Sequence, residues 1–199
     1  SILFIVLKGT FDVEKIKQGQ GTYIWMGPIG GEDGGDELVE KARYEGNYKN
    51  GLKDGFGKMI YPSGDVYEGM WVENKMCGEG TYTYKATGDI YSGSWENDKK
   101  SGAGRYEFGK DMSIFNGTWK EGQITSGSWE FQGAGKYDGE FKLGRPFGQG
   151  TFSFPSGLKQ AGSYDVAKPA EGEEVEEPAE GEPEKPPNVT WNGKSIVSF

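Results

Sequence analysis

A tyrosine, a glycine two residues later and a second aromatic two residues beyond that recur along this chain at a spacing that leaves few folds open. The motif reads Tyr44-Glu45-Gly46-Asn47-Tyr48, Tyr67-Glu68-Gly69-Met70-Trp71, Tyr91-Ser92-Gly93-Ser94-Trp95 and Tyr137-Asp138-Gly139-Glu140-Phe141. Each copy is followed, after the same gap, by a pair of glycines: Gly55 and Gly57, Gly78 and Gly80, Gly102 and Gly104, Gly148 and Gly150. Units begin roughly every 22 to 24 residues, the mark of a repeat array whose units touch mainly their neighbours.

The stretch from Tyr67 to Asp89 shows what one unit is. Read at period two, Tyr67, Gly69 and Trp71 share one side of a strand, because successive side chains alternate between faces. Glu73 to Lys75 is polar turn material, and Gly78, Gly80, Tyr82 and Tyr84 fall on one side of the returning strand. Each unit is therefore a β-hairpin with one face of aromatics and glycines. The fold class expected is all-β: a single-layer, elongated antiparallel sheet of tandem hairpins. Six such units would span roughly 60 Å at about 4.8 Å per strand. A single layer has no second sheet to cover its apolar face, so the rings must lie down on it, over neighbouring positions that lack a side chain. The paired glycines supply those positions. Trp71, Trp95 and Trp119 read first as this thin core, and as a groove that a partner could share.

Composition narrows the function classes. Glycine is abundant, at 35 residues, without a collagen triplet. A net charge of −9 argues against nucleic acid and against an anionic membrane, since both reward clustered Lys and Arg. Cys77 is the only cysteine, which excludes an intrachain disulfide and points to a reducing compartment. The apolar run Ile2 to Leu7 is too short to span a bilayer and lacks the features of a secretory signal. With no histidine in the chain, His-based triads, His zinc sites and His general bases are excluded. The Gly-rich stretch from Gly102 to Lys110 lacks phosphate-loop spacing. No catalytic residue, cofactor or metal site is expected.

The array is expected over residues 1–166. Leu7 to Phe11 starts a unit with leucine in the first aromatic place and one extra residue in its turn. An insertion loop at about 27–42 breaks the rhythm; its centre, Gly30 to Asp36, reads as acidic loop, and Glu37 to Ala42 as a short helical turn. The acids there lack the ligand spacing of an EF-hand. The unit from Phe115 is irregular, with a turn one residue shorter and Thr125 where the first paired glycine belongs. Residues 167–187, rich in Glu and Pro, read as a disordered acidic linker. Residues 188–199 regain Trp, Ile, Val and Phe and read as an apolar docking segment.

These units resemble MORN repeats, whose core runs Tyr-Glu-Gly-x-(Trp/Tyr), a spacer, Gly-x-Gly and aromatics. Tyr44-Glu45-Gly46 and Tyr67-Glu68-Gly69 match it letter for letter, and the likeness covers about Leu7 to Tyr164. The resemblance implies a non-enzymatic interaction platform. Its partner-binding groove would be lined by Tyr48, Tyr67, Trp71, Tyr91, Trp95, Trp119 and Phe141. A narrower likeness is carried by Asn116 to Gln123, Tyr137 to Phe154, Gln160 to Tyr164 and the acidic tail. These are similar to MORN proteins of the ciliary radial spoke head. That implies a scaffold in the axoneme of motile cilia, with other protein subunits as partners and open edges for homo- or hetero-oligomers.

Overall fold

The computed structural model describes residues 4–29, 37–166, 188–194 and 196. They form one open antiparallel sheet in which every strand pairs with the strands before and after it in sequence. The strands are β1 Phe4–Phe11, β2 Lys17–Pro28, β3 Leu38–Lys49, β4 Leu52–Ile60, β5 Val66–Val72, β6 Lys75–Thr83 and β7 Ile90–Glu96. They continue as β8 Lys99–Glu107, β9 Ile114–Lys120, β10 Gln123–Phe131, β11 Gly135–Lys142, β12 Arg145–Ser153, β13 Lys159–Val166 and β14 Val189–Gly193. No second layer covers the sheet among the described residues.

Two-residue turns close five of the hairpins. Asn50-Gly51, Glu73-Asn74, Asn97-Asp98, Glu121-Gly122 and Leu143-Gly144 all have both φ values positive. This is the turn geometry whose twist matches that of the flanking strands. The turns are stitched to one another along the array. The backbone N–H of Gly51, Asn74, Asp98 and Gly122 donates to the carbonyl of Lys17, Lys53, Met76 and Lys100 respectively, at 2.9–3.1 Å. On the opposite rim, Asp65 accepts from the Lys85 N–H (2.8 Å) and the Tyr82 hydroxyl (3.1 Å). Asp89 accepts likewise from the Gly109 N–H (2.8 Å) and the Tyr106 hydroxyl (2.6 Å).

A line of glycine crosses the whole sheet. Gly9, Gly21, Gly46, Gly57, Gly69, Gly80, Gly93, Gly104, Gly117, Gly127, Gly139, Gly150, Gly162 and Gly193 stand opposite one another, one from each strand. The tyrosines lie across it. A Cβ built on Gly80 would stand 2.6 Å from Cε2 and Cζ of Tyr67; one on Gly104 would stand 2.7 Å from the same atoms of Tyr91. Tyr44, Tyr67, Tyr91 and Tyr137 are consequently 0% exposed although they sit in a single-layer sheet.

The paired glycines divide into two roles, where one was expected. Gly57, Gly80, Gly104 and Gly150 seat the rings. Gly55, Gly78, Gly102 and Gly148 do not: they lie in a β-bulge at φ of +98°, +65°, +64° and +63°. The bulge is visible in the register, where Trp71 faces Met76 but Gly69 faces Gly80, leaving two extra residues in β6. Left-handed backbone favours glycine because it has no Cβ to clash.

Other departures are local. Residues 38–42, read as a helical turn, belong to β3, and the pairing of Pro28 with Leu38 narrows the break expected over 27–42. The centre at 30–36 and the linker at 167–187 lie outside the described residues. In the irregular hairpin the turn Glu121-Gly122 has the usual length; the missing residue is in the bulge. Trp119 faces Ile124 and Thr118 faces Ser126, so Thr125 alone is extra and no left-handed glycine is needed. The extra residue in the first hairpin does lie in its turn, between Phe11 and Lys17. At the far end β14 pairs with β13, and Trp191 lies on Gly162 against Phe152 and Tyr164, with ring centroids 5.0 Å apart in each case.

Candidate functional site

The rings of the apolar face form two series. The first is an edge-to-face chain in which tyrosine and tryptophan alternate: Tyr44, Trp71, Tyr67, Trp95, Tyr91, Trp119. Its centroids are 5.1–5.6 Å apart and its interplanar angles 78–89°. That arrangement sets the positive edge of one ring on the negative face of the next. Polar handles lock each ring. The hydroxyls of Tyr44, Tyr67 and Tyr91 donate to the carbonyls of Asn47, Met70 and Ser94 at 3.0 Å. The indole N–H groups of Trp71, Trp95 and Trp119 donate to the carbonyls of Gly57, Gly80 and Gly104 at 3.1–3.3 Å. Burial pushes these tyrosine hydroxyls well above their ordinary value. Tyr91→Phe is expected to cost about 1–2 kcal/mol, the worth of a buried hydrogen bond whose carbonyl is left underused; urea unfolding of the variant measures it.

The residues expected to line a groove, Tyr48, Tyr67, Trp71, Tyr91, Trp95, Trp119 and Phe141, are all buried, at 7% exposure or less. They are core before they are surface. Accessible ring area lies in the second series, two to four residues after a glycine of the line: Tyr61, Tyr82, Tyr84, Tyr106, Phe108, Trp129, Phe131 and Phe152, all half-buried.

Lysines on the same face were not singled out by the sequence reading. The Lys17 ammonium stands 4.2 Å from the Tyr23 ring centroid and 4.6 Å from that of Tyr48. That of Lys53 stands 3.8 Å from the Trp71 ring, and that of Lys100 stands 4.6 Å from Tyr106 and 5.1 Å from Trp119. Desolvation against the rings lowers Lys53 and Lys100 to about 8. Each side chain follows a two-residue turn or its counterpart in the first hairpin; Met76 and Ile124 hold the corresponding places in β6 and β10. The signal in the sequence was a lysine two or four residues before the seating pair, which is easily taken for surface charge.

One concavity of about 390 Å³ opens on this face, lined by Lys100, Tyr106, Phe108, Phe115, Trp119, Gln123 and Ile124 together with turn residues Gly122, Leu143 and Gly144. It lies at the irregular hairpin. There the tyrosine of the motif is Phe115, and the following repeat carries Phe141 where the units from Tyr67, Tyr91 and Phe115 carry tryptophan and the unit from Tyr44 carries Tyr48. The edge-to-face chain that ends at Trp119 resumes with Phe115 and Phe141, 5.2 Å apart. Nearby the indole N–H of Trp129 is buried with no acceptor among the described residues, an unusual state for such a donor. Of the seven groove residues expected, Trp119 alone borders this space.

Also among the described residues, no cluster of acidic or sulfur ligands could hold a metal ion, and no helix is long and apolar enough to cross a membrane. An open array of hairpins, with aromatic rings laid over a glycine line, defines a repeat protein that presents surface. The MORN repeat model matches residues 13–26, 44–66, 67–86, 91–112 and 137–159, just over half of the chain. The chain belongs to the MORN-repeat family, a non-enzymatic repeat module. The matched segments pass over the irregular hairpin at 113–136. A 46-residue stretch is 46% identical to alsin of Rattus norvegicus, of Mus musculus and of Homo sapiens. It covers 21% of this chain and 3% of those proteins, so the chain spans only a small fraction of the curated relatives it matches.

Proposed function

We propose that this chain is a structural scaffold subunit of a motile-cilium assembly, the radial spoke head being the specific one its sequence favours. The observation that carries the scaffold reading is the unbroken sheet with its half-buried second ring series. It offers a stiff, patterned surface along its length, of the kind that buries against protein partners. The ciliary assignment is supported by the runs from Asn116 to Gln123 and from Tyr137 to Phe154. Partner subunits dock on the aromatic face and on the sheet edges, where unpaired backbone groups accept another strand. Residues 167–187 act as an acidic tether.

The protein is expected in isolated axonemes and to resist detergent extraction; quantitative release into the detergent-soluble fraction would overturn the ciliary assignment. Crosslinking with mass spectrometry on purified axonemes should then link the aromatic face to other subunits.

A second reading is a peripheral module that binds anionic lipid, favoured by the three lysines on the aromatic face. Flotation with anionic liposomes tests it. The short match to alsin supports a third, a regulatory segment of a larger protein.

A further inference from the structure

The concavity at the irregular hairpin combines two features that point to a ligand. Its walls are apolar and aromatic, and a volume of about 390 Å³ falls within the range of small-molecule sites. Its charged group is a single, partly desolvated cation, Lys100, with the Gln123 amide and the Tyr106 hydroxyl as neutral polar neighbours. The Lys100 ammonium faces the rings of Tyr84, Tyr91, Tyr106 and Trp119 at 4.6–5.6 Å and takes part in none of the six ion pairs among the described residues. The Asp89 carboxylate, whose charge reaches it, is already held by the Tyr106 hydroxyl and the Gly109 N–H. A cation partly removed from water and set against ring faces gains strongly from an anion that arrives already desolvated on one side.

We propose that this cavity binds a small amphiphilic carboxylate, its alkyl or aryl chain among Phe108, Phe115, Trp119, Ile124 and Leu143 and its carboxylate on Lys100. One cation balances a monoanion but leaves half the charge of a phosphate dianion unpaired, the Gln123 amide being a neutral donor. The other lysines provide an internal comparison. Lys53 has the same seat, over Trp71 and Tyr44, but belongs to a regular repeat and does not border the cavity. The site therefore arises at the irregular hairpin, where Phe115 takes the tyrosine place, together with the retained lysine of the preceding unit.

The test is a heteronuclear NMR titration of the full chain with octanoate, octanol and octylamine as probes. Octanoate is expected to bind saturably and at least about tenfold more tightly than octanol, equivalent to about 1.4 kcal/mol. Octylamine should bind most weakly. Shifts should concentrate at Lys100, Phe115, Ile124 and Gly144. Lys100→Met should equalise the acid and the alcohol, while Lys53→Met leaves the preference intact. Ile124→Trp should fill the space and abolish both; if it fails to fold, Leu143→Phe provides the same test from the turn. The proposal is overturned if wild type binds octanol and octanoate equally, if Lys100→Met leaves the preference in place, or if octanoate shifts are spread evenly over all repeats.

Discussion

Gly104→Val is expected to unfold the centre of the array while leaving its ends folded. The added Cβ would stand 2.7 Å from two ring carbons of Tyr91 and closer still to its hydroxyl, so either the ring leaves its seat or β8 separates from β7. Overpacking a tight site costs about 1–3 kcal/mol, and ejecting a fully buried aromatic adds about 3–5 kcal/mol. The sum is comparable to the whole stability of a typical domain, about 5–15 kcal/mol. Because each hairpin leans mainly on its neighbours, the loss should be local. Hydrogen exchange should accelerate in β7 to β9 and remain slow in β3 and β4. Gly102→Ala provides the contrast. Its φ is +64° and its added Cβ would meet only Ser94, at 3.4 Å, so the backbone conformation sets the cost at about 1–2 kcal/mol. Equal effects from the two substitutions would refute the division of labour between the glycines.

Alkaline pH should unfold the protein abruptly, with most tyrosines ionising together. Ten of the eleven have their hydroxyls pushed upward, chiefly by burial, with Tyr61 and Tyr137 at about 12. The sign follows from proton counting. Above the ordinary tyrosine value of about 10 the unfolded chain releases protons that the native chain keeps, so stability falls as pH rises. Each of the fully buried Tyr44, Tyr67, Tyr91 and Tyr137 removes at most about 1.4 kcal/mol per pH unit in that range. Lys53 and Lys100 act in the opposite sense. Lowered to about 8, they are more protonated when unfolded, so stability rises between about pH 8 and 10 before the tyrosines reverse it. Tyrosinate absorbance followed with circular dichroism should show one steep coincident transition, and Lys53→Met with Lys100→Met should flatten the rise that precedes it. Tyrosines that titrate individually in a folded protein would show that the rings are wetted.

The architecture was readable because its cause is periodic. Tyr67, Gly69 and Trp71 on one strand and Gly80 and Tyr82 on the next announce a one-sided sheet, and the sheet in the structure is that sheet. What period two cannot show is a change of phase. Gly78 sits two residues from Gly80, a spacing that predicts the same face, but the bulge between them removes it from the ring seats. The same shift hid the line that joins Gly69 and Gly80 to Gly57 and Gly93, since only register reveals which glycines face each other. Residues 38–42 form a strand rather than the expected helical turn for a related reason: a strand that resumes after an insertion has too few residues before Tyr44 to declare its period. The cavity lay one inference further away. Phe115 and Thr125 marked the hairpin as irregular, yet its wall includes Lys100, contributed by the unit before, and Leu143, contributed by the unit after.

The bare line across the strands also governs how such a chain can change its length. A residue gained or lost within a strand would slide a side chain beneath a tyrosine or against the backbone of the facing strand, so the interior admits no such edit. Additions and deletions are confined to the rims and the bulges, where this chain carries them: beside Asp12, between Ile29 and Glu37, and at Thr125. Growth can then proceed only by copying a complete hairpin, as a ruler is extended by whole divisions.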